Sequence, residues 1–311
     1  MVAESQGGCA SSIQWHFERR RIFQGVTMFN DELAKAVEDF SSLLLPVSEK
    51  DLERTWVWKD HDEEGIRFAF FVTIQELRQL AVALATNHKP VTQVQHILGQ
   101  YRKQYMDLQA AIFGLSEEDA DRAPAEGEWS VRQVYAHILG AEIGFSEVIS
   151  FALEGHRAGK WKPERMTEED ETRITGLSEK EYSALMDGSI KAMLAFHRKF
   201  HPKIIQEFSD ITADELELPS TFWEETRFPI RHRLHRYEAH FIQHTVQIDK
   251  TLVEIGQAPS ETKRLIRYLF EALAEVEAIL IGKDNLQEEC LQLANEINAR
   301  TMEIREVLKN S

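Results

Sequence analysis

Cysteine is nearly absent from this chain, since Cys9 and Cys290 are the only two among 311 residues. They stand near opposite ends, so no disulfide framework is available, and such sparse usage fits a reducing compartment. Neither sits in surroundings that resemble those of a catalytic thiol. Turn formers are scarce as well, with 8 prolines and 15 glycines, most of them between periodic segments. Long helices are therefore the expected elements. No apolar run follows a basic start, and no uninterrupted apolar run is long enough to span a bilayer; the expectation is a soluble cytoplasmic protein with no membrane partner. Basic charge is in the minority, 36 Lys and Arg against 52 Asp and Glu, which leaves a net charge of −16. That balance argues against broad binding to nucleic acid. A small-molecule substrate is the expected partner.

What is present is a helical period. A hydrophobic content of 43% supports a sizeable core. After an irregular lead-in over residues 1 to 25, apolar residues recur at helical spacing over 31 to 45 and 65 to 84, which predicts an N-terminal hairpin. Four further helices are predicted over 92 to 113, 130 to 153, 179 to 208 and 229 to 255, in the order that suits a four-helix bundle. Two more, over 261 to 281 and 286 to 308, predict a C-terminal hairpin. The chain is thus read as all-α: a unit over 1–91, a four-helix bundle over 92–258, and a hairpin over 259–311. The stretches 154 to 177 and 214 to 228 are polar or proline-bearing and read as linkers, the first long enough to be functional. Ser130 and Gln133 form an S-x-x-Q capping box, flanked by Trp129 and Val134 at staple positions, so the start of the second bundle helix is explicit. A short internal repeat pairs Ser48-Glu49-Lys50-Asp51 with Ser116-Glu117-Glu118-Asp119. In that register the 1–91 unit is a degenerate half-repeat in which Glu76 parallels Glu142 and Phe71 stands where the second copy has His137.

The chemistry is concentrated in histidine. His240 and His244 stand four apart on one face of the last bundle helix, and His137 falls on the stripe Val134, Ala141, Phe145 and Val148 of the second, predicted to face the interior. His137 alone reads more readily as a core histidine; the three together favour a divalent metal held by neutral imidazoles with coordination positions left open. A second pair, His197 and His201, competes. Pro202 follows it directly and Arg198 and Lys199 adjoin it, so it is read as a solvated or kinked pair, with His197 the member that could line the pocket. His232 and His235 read as surface residues among Arg231, Arg233 and Arg236, a cluster that could meet an acidic ligand. Glu142 lies about 140° around the helix from His137, which excludes joint ligation with it and leaves a supporting or packing role. Gln247, three residues after His244, is a candidate to orient a ligand, and Tyr237, one turn before His240, is a candidate pocket hydroxyl that equally suits the core.

Trp129-Ser130 followed by His137 and Glu142, and then His240-x-x-x-His244-x-x-Gln247-Ile248, resembles the DinB/YfiT-like family of metal-binding four-helix bundles over about residues 92–256. The resemblance implies zinc or nickel held by His137, His240 and His244 at one end of the bundle. It also implies a metal-dependent transferase that uses a low-molecular-weight thiol as co-substrate, and a homodimer. A metal-dependent hydrolase, or a helical protein that binds metal or ligand without turnover, are the alternatives. The two hairpins and the segment around Trp161 depart from the family pattern.

Overall fold

A computed structural model describes residues 29–59, 65–87, 91–161, 164–224, 226–283 and 287–310. The lead-in over 1 to 25, Cys9 included, lies outside the described residues. Eleven α-helices are present among those described: α1 (Asp31–Leu44), α2 (Ile66–Asn87), α3 (Gln93–Ala111), α4 (Glu117–Asp121), α5 (Val131–Arg157), α6 (Glu168–Thr175), α7 (Glu179–Met186), α8 (Ile190–Phe208), α9 (Ile230–Glu254), α10 (Glu261–Leu280) and α11 (Gln287–Lys309). The fold is all-α apart from a two-residue antiparallel pair, β1 (Pro219–Ser220) with β2 (Phe228–Pro229).

Local chemistry sets the helix starts. Ser130 accepts from the Gln133 N–H while the Gln133 side chain accepts from the Ser130 N–H, the predicted capping box, and Thr92 and Gln95 do the same for α3. The predicted helix over 179 to 208 is broken into α7 and α8, because Ser189 caps a new start after Gly188. The stretch 154 to 177 is not simply a linker: α5 runs on to Arg157, and α6, with no buried residue, occupies 168–175. Pro202 does not break α8, contrary to the sequence reading. The proline costs about 3 kcal/mol, whereas Ile190, Met193, Phe200, Ile204, Ile205 and Phe208 are all buried on that helix, each contributing about 1.5–3 kcal/mol.

Helices α3, α5, α8 and α9 form one bundle, with α9 packed between α3 and α5. The expected hairpins at the two ends of the chain do not stand apart. Instead α1 packs chiefly on α11 and α2 chiefly on α10, so the four interleave as a second bundle, and Phe40 meets Phe70 across its core at 5.4 Å. The bundles join along α3 and α10. A Cβ on Gly99 would lie 3.0 Å from the Ala278 methyl, so the absent side chain lets these two helices approach closely. Beside it the Arg102 guanidinium donates two hydrogen bonds to Glu277, 2.9 and 3.1 Å, in a pair that is almost wholly buried. Spacing along one helix cannot reveal such partner choice.

By length and composition α2 and α5 could each cross a membrane, although polar residues interrupt the apolar runs of both. In α5 most of the qualifying stretch, 61%, is buried inside the protein, as for a core helix.

Candidate metal centre

Helices α5 and α9 bring His137, His240 and His244 together. One ring nitrogen from each lies within 4.8 Å of the others. His137 Nε2 and His240 Nε2 are 3.2 Å apart. Two nitrogens bound tetrahedrally to zinc at about 2.0–2.1 Å would stand about 3.3–3.4 Å apart, so the spacing fits a shared ion. His244 Nδ1 lies 2.9 Å from Gln247 Oε1. An amide oxygen can only accept, so Nδ1 carries the proton and donates, and Nε2 is left bare. Gln247 therefore acts on this cluster, as its spacing suggested.

Burial divides the three. His240 and His244 are buried, while His137 is exposed, which corrects the inward orientation expected of it. The reason is that α5 is covered on several sides, and the stripe that reaches the bundle centre is Val134, Ile138, Glu142 and Ile149 rather than that of His137. The Trp129 ring lies 5.4 Å from His137 and partly covers it. Burial lowers the His240 pKa to about 3, with His244 and His137 adding to the effect. Burial and then His244 lower that of His137 in the same direction. Both imidazoles are thus neutral near pH 7, the form that binds metal. Tyr237 does not join them. It stacks on Tyr101 at 4.5 Å and packs against Phe145, a core aromatic.

The larger correction concerns His197 and His201. Rather than solvated, they are fully buried, and Glu142 comes from α5 to meet them. Glu142 Oε1 accepts from the Tyr101 hydroxyl and lies 2.9 Å from His201 Nδ1, and Glu142 Oε2 closely approaches His197 Nε2. Tyr135 Oη is 2.6 Å from His197 Nδ1 and accepts from Gln109 Nε2 at 3.1 Å. Burial would raise the Glu142 pKa, but the charges and hydrogen bonds of His197 and His201 outweigh it and hold the carboxyl below its ordinary value. Burial drives the His201 pKa down to about 3 against the pull of Glu142. The 140° between His137 and Glu142 accounts for the pattern: one helix turns a histidine to the rim and a carboxylate to the core. Sequence reasoning saw the pair and the carboxylate but not that they meet. Of the remaining histidines named above, His232 and His235 are exposed as expected, but Arg233 is buried in a pair with Glu224 and cannot serve an acidic ligand. In the half-repeat register, Phe71 is exposed and Glu76 is paired with Arg300.

A cleft of about 900 Å³ is lined by Gly140, Gly144 and Glu147, on the same side of α5 as His137, and by Glu168, Glu169 and Glu171 of α6; none of the three histidines lines it. Tyr182 and Phe222 overhang the glycines: a Cβ would meet the Tyr182 hydroxyl at 2.8 Å or the Phe222 ring at 2.9 Å. Burial, aided by Glu171, raises the Glu147 pKa to about 8. No curated protein and no solved structure matches the chain. The model of the DinB superfamily does, over residues 100–248. That span runs from α3 to the histidine pair of α9 and contains both clusters; over it, just under half of the chain, the protein is similar to the DinB superfamily, and the matched bundle is joined to a second one.

Proposed function

We propose that the protein binds a divalent metal through His137, His240 and His244, and that it is a transferase that adds a low-molecular-weight thiol to an electrophile. The convergence of three imidazoles from two helices, with Gln247 fixing the tautomer of one, carries the reading. When bound there, a zinc or nickel ion would supply a positive charge that lowers the pKa of a coordinated thiol. His240 and His244 hold their positions by burial, and the exposed side of His137 leaves an approach from solvent.

The cleft supplies the second substrate's position. Phe222 and Tyr182 pack directly on the two glycines and with Ile143 give the cleft an apolar wall, against which a flat or apolar electrophile would rest. The Glu147 carboxyl keeps its proton at neutral pH and so offers an O–H donor to a leaving group. In the transfer, the thiol sulfur bonds to the electrophilic carbon and the leaving group departs with its bonding pair and a proton. The test is consumption of an activated aryl halide by a panel of small thiols, with metal-loaded protein and its His240→Ala variant. Metal-dependent turnover with at least one thiol, lost in the variant, is expected. Equal rates with and without protein for every thiol would refute transferase activity.

A further inference from the structure

The second cluster has the composition of a metal site and none of the accessibility of a surface one. We infer that Glu142, His197 and His201 form an enclosed second site for a divalent first-row transition metal, separate from the histidine cluster at the rim. One ligand atom from each lies within 4.8 Å of the others, and all three side chains are 0% exposed. Two imidazoles and a carboxylate are a donor set such ions accept.

Two features distinguish this from an ordinary buried hydrogen-bond network. His201 Nε2 is buried with no partner at all, a bare ring nitrogen in the core that costs free energy unless something occupies it. Lastly, the bonded partners of the Glu142 carboxylate are Tyr101, His197 and His201, with no arginine or lysine among them, whereas a dication would balance its charge. An orienting shell is also in place. Gln109 holds Tyr135, and Tyr135 meets His197 Nδ1, which presents Nε2 toward the carboxylate.

Enclosure has a kinetic consequence. Tyr105 stacks on the His201 ring at 3.8 Å and Tyr101 lies against it at 4.5 Å, so no ion reaches the cluster without local opening of the bundle. The site fills as the chain folds and exchanges slowly afterward.

The experiment counts metal in untagged protein produced with zinc and dialysed against a chelator for a short period. Wild type is compared with the rim triple variant H137A/H240A/H244A and with that variant carrying H201N or E142Q in addition. The triple variant is expected to retain one equivalent of zinc per chain, and either added substitution to remove it. If H201N or E142Q does not fold, cobalt(II) incorporated into the triple variant during expression reports the same site through its visible absorption bands. A folded triple variant with no zinc and no cobalt bands overturns the inference. That failure is distinguishable from failure of the rim site: one equivalent in wild type and none in the triple variant leaves the rim site standing alone, whereas one equivalent in both leaves only the enclosed site.

Discussion

Replacing Gln247 by Leu tests how the rim cluster is built. Gln247 Oε1 accepts the His244 Nδ1–H at 2.9 Å from three residues along the same helix, and that bond keeps the proton off Nε2. Loss of such an outer partner costs about 10- to 100-fold in metal affinity, or about 1.4–2.7 kcal/mol. Gln247 is only partly buried, so water can take over the acceptor role in the variant, which places the expectation near the 10-fold end. Gln247→Glu should act in the opposite direction, since a carboxylate accepts the same proton more strongly. Competition against a chromophoric chelator at pH 7 measures both. Leu and Glu variants that bind zinc as tightly as wild type would refute the claim that Gln247 orients the ligand.

Other perturbations probe the remaining parts. Glu277→Ala leaves Arg102 buried without its partner where the two bundles join, and about 3–5 kcal/mol of stability should be lost in urea denaturation; a loss below about 1 kcal/mol would show the pair to be dispensable. Glu147, with a folded pKa raised to about 8 against an ordinary 4.5, contributes stability that is complete below pH 4.5 and lost as pH rises through 8. Denaturation midpoints of wild type should therefore fall relative to Glu147→Gln between pH 5 and 9, and parallel midpoints would contradict that burial. Gly144→Leu drives a side chain into the Phe222 ring and fills the cleft, so thiol transfer should fall while zinc content stays unchanged; unchanged turnover would place the substrate elsewhere.

Helix positions were largely legible because caps and apolar periods are local signals. Ser130 and Gln133 announce α5, whereas α4, capped by Ser116, lies between the predicted helices and is too short to show an apolar period. Gln247 was equally legible, since its partner lies three residues away. The meeting of Glu142 with His201 was not, because 59 residues separate them and helical spacing says nothing about which helices become neighbours. The same limit applies to α1 and α11, which pack together from opposite ends of the chain. Pro202 misled for an energetic reason: one proline weighs less than the buried stripe that carries it. The orientation of His137 misled because α5 is apolar on too many sides for a single stripe to identify the core face.

The direct test of the central claim is elemental analysis of untagged protein, wild type beside His137→Ala, His240→Ala and His244→Ala as single variants. Each variant should lose one equivalent of divalent metal per chain while its helical circular dichroism stays at the wild-type level. Wild-type metal content in all three would contradict the assignment of these histidines as the rim ligands.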